Sequence, residues 1–146
     1  MQDAIEAFAD HVIDTKSEDI SEEAWLAAKT YILDTFGVGL AGSIGPYVTE
    51  LLNAYPTGGP SRVLGQSGGF APADAALLNG YQIHNSEFDC VHEKAVIHTM
   101  TVLMSVLLAE ADRRGGIDGP NLIRAAVLGV DVACNLGVAC KTGLQF

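Results

Sequence analysis

Apolar and polar residues alternate along most of this chain with the period of an α-helix. The first such segment covers about residues 3–15, and the second begins after an N-cap at Asp19 or Ser21. The second segment reaches the glycines that follow Phe36, where Gly42 suits the C-cap position. The pattern therefore predicts two helices in the N-terminal part of the chain.

Four further helices are predicted by the same periodicity. Pro46 and Pro72 stand at first-turn positions of two of them, and Asp118 suits the N-cap of the last. The helix before that one is apolar on nearly every side and is expected to be buried. Residues 56–69 are rich in Gly, Pro and Ser and predict a loop, in which only SRVLG could form a short strand. The four helices span about residues 46–55, 71–83, 100–111 and 120–140.

These elements predict an all-α bundle of about six helices in a single domain, residues 1–146, because no repeat or break in composition divides the chain. The composition agrees: hydrophobic residues make up 49% of the chain and aromatic residues only 7%, which favours closely packed helices over a sheet sandwich. The chain ends in KTGLQF directly after an apolar helix. That ending indicates a packing partner outside the chain or in another subunit.

The charge of the chain bears on its partners. Eighteen acidic against eight basic residues give a net charge of −10, which opposes binding to nucleic acid or to an anionic membrane surface. The acidic N-terminus is neither a signal nor a transit peptide, and the longest apolar region, residues 102–108, is far shorter than the ~18–20 residues that span a bilayer. Three cysteines without a CxxC pattern indicate reduced thiols, as is typical of a cytoplasmic protein.

Residues 85–98, NSEFDCVHEKAVIH, carry the densest titratable chemistry of the chain. Histidine titrates near neutral pH, and a nearby carboxylate can orient its ring and fix its tautomer. His98 stands directly before a predicted buried helix, where a polar side chain needs a partner. General acid–base catalysis is therefore one interpretation, and two histidines that merely satisfy polar groups in a turn between helices are the other. The titratable residues are Glu87, Asp89, Cys90, His92, Glu93, Lys94 and His98.

Two other kinds of site are less well supported by this segment. His92 and His98 together with Cys90, Asp89 and Glu87 could be assembled into a zinc site, but the chain has no HExxH or CxxC spacing, so no metal site is predicted. Cys90 with His92 as its base could act as a nucleophile, but nothing places Cys90 at a helix N-terminus or beside a further cation.

The run GVGLAG, residues 37–42, matches the GxGxxG pattern of dinucleotide-binding loops. That loop requires a strand before it and a helix that opens within it. The preceding residues here have helical periodicity, so the glycines are interpreted as positions of close helix packing and of a helix end.

Several runs in this order resemble the N-terminal part of MmgE/PrpD proteins, a family that includes 2-methylcitrate dehydratase, cis-aconitate decarboxylase and iminodisuccinate epimerase. They are LDTFGVGLAG, then VLG, then PADAALLNGYQIHNSEFDCVHEKAVIHTMTVLMSVLLAEAD, and finally GPNLIRAAVLGVDVACNLG. The resemblance implies a large all-helical domain with a smaller α/β lid, in a homo-oligomer that is usually a dimer. It also implies an active site that needs no metal or organic cofactor and moves a proton on carbon next to a carboxylate of a small di- or tricarboxylate.

Site residues follow from the same resemblance, position by position. The family pattern AALLNG–H–x–x–(D/E)FDD(T/V)H and a later HP place its acidic and histidine positions on this chain, and Asn79 matches the run that leads into the site. The resemblance implies His98, Asp89 and His92 as catalytic residues, and Glu87, Val91 and His84 as substrate-binding residues. Lys94, the basic residue nearest to the motif, is a further substrate-binding candidate, and a solvated side chain is its other interpretation.

Departures from the family pattern limit the functional prediction. Cys90 replaces the second Asp of FDD, Val91 stands where some members have a Thr, and Thr99 replaces the Pro after the histidine. The resemblance implies that family members are longer, with the lid and the basic residues that would hold carboxylates in the part beyond these motifs. The prediction is the N-terminal helical portion of a lyase of the 2-methylcitrate dehydratase type. Activity of this portion by itself is not part of the prediction. The alternative is a non-catalytic helical module for binding or oligomerisation.

Overall fold

Six α-helices and one small antiparallel sheet make up most of residues 3–140, the part of the chain that the computed structural model describes. The predicted all-α bundle of about six helices is confirmed, and KTGLQF lies outside the described residues. The helices are α1 (Ala4–Asp14), α2 (Glu22–Gly42), α3 (Val48–Asn53), α4 (Pro72–His84), α5 (Thr99–Arg113) and α6 (Gly119–Ala139), and the strands are β1 (Thr57–Arg62) and β2 (Gly69–Phe70).

Side-chain caps fix the starts of three helices. Asp3 forms a capping box with Glu6 at the start of α1, Ser21 accepts a hydrogen bond from the third residue of α2, and Asp118 does the same for α6. Of the two N-caps considered for α2, Ser21 is the one used. Asp19 lies in a preceding 3₁₀ turn and accepts a hydrogen bond from the Lys16 N–H.

The GVGLAG run lies within α2, so it is not a phosphate-binding loop. The helix continues to Gly42, and Ser43 takes the C-cap position that the sequence pattern predicts for Gly42. A Cβ on Gly42 would lie 1.8 Å from the carbonyl oxygen of Gln82, and one on Gly39 would lie 2.7 Å from Leu64 Cδ1. Both glycines therefore let α2 approach its neighbours closely, as interpreted from the sequence.

The predicted loop over residues 56–69 is in part wrong, because β1 begins at Thr57 and pairs with β2 in an antiparallel hairpin. Thr57 and Ser61 both face Phe70, so a bulge interrupts the strand. Ser61 is fully buried and its hydroxyl donates to the Ala109 carbonyl of α5. The hairpin is thus held by tertiary contacts that local sequence does not reveal.

Helices α4 and α5 form the centre of the bundle and run in opposite directions. Leu78 of α4 and Ala109 of α5 share one buried cluster, while Met100 and Met104 of α5 form another with Ala126 of α6. Helix α5 is not buried on every side, contrary to the sequence prediction: Val102 is 61% and Val106 is 52% exposed.

Helix α6 is the one described helix that is long and apolar enough to cross a membrane. Its most apolar window has a mean hydropathy of 1.7, and 22% of that window is buried. The apolar region of residues 102–108 is therefore not the longest of the chain. In this fold α6 packs against α2 and α5. A single helix of this length and composition is weak evidence for a membrane span. Cytoplasmic location stays an expectation.

Candidate active site

The candidate site lies where the end of α4 meets the start of α5. His84 is the last residue of α4, and His98 is the N-cap of α5. Because the two helices pack side by side in opposite directions, the end of one and the start of the other are neighbours although fourteen positions separate them. The connecting segment carries Asp89 between the two histidines.

Asp89 holds the two imidazole rings together. Its Oδ1 is 3.0 Å from His84 Nδ1, its Oδ2 is 3.0 Å from His98 Nδ1, and the Thr101 hydroxyl donates a hydrogen bond to Oδ2. The Asp89 side chain is 1% exposed, whereas the His84 and His98 side chains are 43% and 34% exposed. A buried carboxylate thus supports two imidazoles that reach solvent, and we call these three residues the His–Asp–His cluster.

The surroundings of Asp89 keep its carboxyl ionised. Burial raises the pKa of this group, but the hydrogen bonds from Thr101 and His84 and the nearby charges of His98 and His84 outweigh burial, so the pKa lies below its ordinary value. An anionic Asp89 accepts hydrogen bonds only, so each neutral imidazole must donate to it through Nδ1–H. In the neutral form of each ring, Nε2 is therefore the nitrogen without a proton and the one that can take up a proton.

The same three residues are the group that could hold a metal ion among residues 3–140. One ligand atom from each of His84, Asp89 and His98 lies within 4.8 Å of the others. The zinc site considered from the sequence also included Asp89 and His98. The third residue of the group is His84, and Cys90 and Glu87 do not belong to it.

Three of the predicted substrate-binding residues lie on the solvent side of the segment between the helices. Glu87 is exposed and has a left-handed backbone with φ of 51°, and its N–H donates to the His84 carbonyl. Val91 is half exposed, and Lys94 is exposed in the turn that follows. Their substrate-binding roles stay predictions, whereas His84 belongs to the cluster itself.

His92, predicted as catalytic, is not part of the His–Asp–His cluster. Its Nδ1 accepts a hydrogen bond of 3.0 Å from the Ala95 backbone N–H, and its backbone pairs with that of Ile97. The imidazole thus serves the local turn. Among the side-chain hydrogen bonds within residues 3–140, none joins His92 to Asp89.

Cys90 is partly buried. It packs against the core cluster that contains Met100, and with Cys134 it lines a cavity of about 120 Å³. Burial and the nearby negative charges of Asp34 and Asp89 raise the pKa of the Cys90 thiol. A thiol held in the protonated form is a poor nucleophile, which opposes the cysteine-nucleophile interpretation.

Thr101 is the site residue that sequence analysis missed. It is buried in the first turn of α5, and its hydroxyl donates to Asp89. The signal in the sequence is a hydroxyl side chain three positions after His98, in the largely apolar first part of α5, where a buried polar group requires a partner.

The sequence is similar to known proteins over nearly its whole length. The sequence model of one family, described as the MmgE/PrpD N-terminal domain, matches residues 6–143. The cis-aconitate decarboxylase-like protein oryM of Aspergillus oryzae is 31% identical to the chain in an alignment that covers 88% of the chain and 28% of that protein. The chain therefore spans less than a third of the length of this relative. No solved structure matches the chain.

Proposed function

The chain belongs to the MmgE/PrpD family, and from that premise we propose that it supplies the proton-transfer groups of an enzyme that acts on small di- or tricarboxylates. The observation that carries this proposal is the His–Asp–His cluster. It combines one buried anion with two imidazoles that contact it through Nδ1 and whose rings reach solvent.

The chemistry of such substrates needs groups of this type. Loss of water from a hydroxy acid requires one group to remove a proton from carbon beside a carboxylate and another to protonate the leaving hydroxyl. Loss of carbon dioxide leaves a carbanion that must be protonated. Two adjacent imidazoles can divide these tasks, one as base and the other, once protonated, as acid. Asp89 would stabilise whichever ring carries the positive charge.

The name of the oryM relative makes cis-aconitate the first compound to test. Decarboxylation and the dehydration predicted from the sequence use the same proton-transfer groups, and the proposal covers both reaction types. Within it, His98 and His84 transfer protons, Asp89 orients them, and the exposed side chains of Glu87 and Val91 are proposed to contact the substrate.

Binding of several carboxylates needs more positive charge than the described residues bring to the cluster, where Lys94 is the basic residue nearest in sequence. Arg62 pairs with Asp112, and Arg113 and Arg114 pair with Glu110. Arg124 donates to backbone carbonyls at the end of α1. We assign the missing carboxylate contacts to further polypeptide of the kind that makes the oryM relative longer, or to a second subunit.

The proposal is tested by titrating the chain with cis-aconitate, citrate and 2-methylcitrate while the histidine side-chain signals are followed by NMR. We expect saturable shifts of the His84 and His98 signals and none with acetate, which carries a single carboxylate. The variant His98→Ala should lose the response. The variant His11→Ala should keep it, because His11 pairs with Asp131 between α1 and α6.

Two results would overturn the proposal. One is the absence of any shift at millimolar tricarboxylate. The other is a response that disappears on addition of a chelator, because it would assign the cluster to metal binding.

A non-catalytic module remains the second candidate because apolar side chains are exposed on several of the described helices. Leu33 and Leu40 of α2, Val102 and Val106 of α5 and Leu136 of α6 are each more than half exposed. A homo-oligomer that covers part of this surface is proposed with either function. Sedimentation analysis that gives a monomer at all concentrations would contradict it.

A further inference from the structure

Residues 92–97 form a tight turn between the two halves of the cluster, and His92 makes three of its hydrogen bonds. The His92 N–H donates to the Ile97 carbonyl over 3.0 Å, and the His92 carbonyl accepts from the Val96 N–H over 2.8 Å. The third is the bond from the Ala95 N–H to His92 Nδ1. We call this segment the 92–97 turn.

The 92–97 turn is strained and is anchored on α6. Val96 has a left-handed backbone with φ of 52°, which is unfavourable for a β-branched residue and persists only where its surroundings impose it. Ala95 is fully buried, and a Cβ on Gly137 of α6 would lie 2.7 Å from Ala95 Cβ. Close packing against Gly137 on one side and the His92 bonds on the other hold Val96 in this conformation.

The position of the turn determines the distance between Asp89 and His98. Asp89 precedes His92 by three residues, and His98 directly follows Ile97, so the pairing of His92 with Ile97 brings the two ends of the segment together. The bond between Asp89 Oδ2 and His98 Nδ1 is formed at those ends. His84 reaches the same carboxylate from α4, independently of the turn.

We propose that His92 is a positioning residue: its imidazole closes the 92–97 turn and thereby places His98 against Asp89. This requires His92 to be the Nε2–H tautomer, because Nδ1 accepts from a backbone N–H. His84 and His98 require the opposite tautomer, because their Nδ1 atoms face an anionic carboxylate. The structure therefore assigns different tautomers to histidines only six residues apart.

The test is the histidine ¹⁵N–¹H spectrum of the full 146-residue chain at about pH 8, where free imidazole is neutral. We expect Nδ1–H signals from His84 and His98 and an Nε2–H signal from His92. A His92 signal of the Nδ1–H type would overturn the inference on the unmodified protein, before any variant is made.

Two substitutions of His92 distinguish the effect of the hydrogen-bond acceptor from the effect of the ring's volume. His92→Phe keeps an aromatic ring without an acceptor, and we expect it to abolish the Nδ1–H signal of His98 while that of His84 persists. His92→Asn keeps an oxygen that can accept from a backbone N–H two or three residues ahead, and it should restore the His98 signal. An unchanged His98 signal in His92→Phe, or loss of the His84 and His98 signals together, would contradict a local role for His92.

One consequence of the inference rests on the proposed function: His92→Phe should bind tricarboxylate more weakly than His92→Asn. If the unmodified chain binds no tricarboxylate, the proposed function fails while the tautomers still decide the role of His92. If the chain binds tricarboxylate and His92→Phe leaves the His98 signal unchanged, the positioning role fails by itself.

Discussion

His84 and His98 approach each other edge to face across the carboxylate of Asp89, with ring centroids 4.6 Å and planes 66° apart. Residues from the end of one helix and the start of another thus share one buried anion. The stability of the site and its proposed chemistry both depend on that carboxylate.

Replacing Asp89 by Asn should therefore destabilise the fold and disorder the cluster. An amide oxygen can accept from one ring, but the amide nitrogen then faces a second donor. We expect the free energy of unfolding to fall by about 1–3 kcal/mol, measured by urea denaturation. Asp131→Asn is the matched control, because the pair of Asp131 with His11 is exposed and should contribute less than about 1 kcal/mol. Equal effects of the two substitutions would be inconsistent with a buried, structural anion.

Acid should remove the contribution of Asp89 to stability. The pKa of Asp89 lies below its ordinary value in the folded protein, so protons bind more tightly to the unfolded chain. The contribution is complete above the unfolded pKa of about 4 and is lost as pH falls through the folded pKa. Between pH values of about 4 and 2, the free energy of unfolding should fall less steeply in Asp89→Asn than in the unmodified chain, by at most about 1.4 kcal/mol per pH unit.

Asp112 provides the control for this pH dependence. Its pKa is also lowered, chiefly by the hydrogen bond from Arg62. Asp112→Asn should therefore remove the contribution of Asp112 to the pH dependence of stability and leave the contribution of Asp89. Glu110, whose pKa is lowered to about 2 by Arg113 and Arg114, is present in both variants, so its effect on the acid profile is the same in both. Identical acid profiles for Asp89→Asn and the unmodified chain would show that Asp89 does not contribute in this range.

The glycines of GVGLAG should behave as packing residues. Gly42→Ala would place a Cβ 1.8 Å from the Gln82 carbonyl oxygen, and we expect a loss of about 3 kcal/mol or more. Gly37 is exposed in the same helix, and a Cβ there would meet nothing within 4 Å, so Gly37→Ala should stabilise the fold by about 0.5–1 kcal/mol. Thermal unfolding of the pair measures both effects. A destabilising Gly37→Ala would argue for a role other than helix packing.

Gly137 should affect both the stability of the fold and the position of His98, because it packs against the 92–97 turn. A Cβ there would meet Ala95 Cβ at 2.7 Å and the Ala95 carbonyl oxygen at 3.1 Å, and we expect Gly137→Ala to cost about 1–3 kcal/mol and to shift the His98 signals. Gly129→Ala on the same helix would meet the end of the flexible Leu103 side chain, which can move aside. That control should cost less and leave His98 unchanged. Equal shifts of His98 in both variants would refute a specific link from α6 to the turn.

Helix positions were predictable from the sequence because their signals are local. Ser21 and Asp118 cap the helices that follow them, Pro72 stands in the first turn of α4, and the apolar period located α1. The β1–β2 hairpin was not predicted, because its pairing of Thr57 and Ser61 with Phe70 and its hydrogen bond to Ala109 join distant residues.

The candidate site was predictable in part. The sequence indicated that Asp89 and His98 belong to one acid–base segment, but it could not show that α4 delivers His84 to the same carboxylate. The direction of a ring is also set by tertiary contacts: the His92 imidazole turns to the Ala95 N–H and not to Asp89. Thr101 was overlooked because its function appears only once Asp89 lies beside the first turn of α5.

The most direct test of the central claim is the ¹⁵N signal of His98 Nε2 during titration with cis-aconitate at about pH 8, where free imidazole is neutral. We predict a saturable shift of this signal towards the protonated form, because a bound polyanion stabilises a positive imidazolium beside it. We also predict loss of the shift in Asp89→Asn. An Nε2 signal of His98 that does not move at saturating ligand would contradict the assignment of this cluster to carboxylate chemistry.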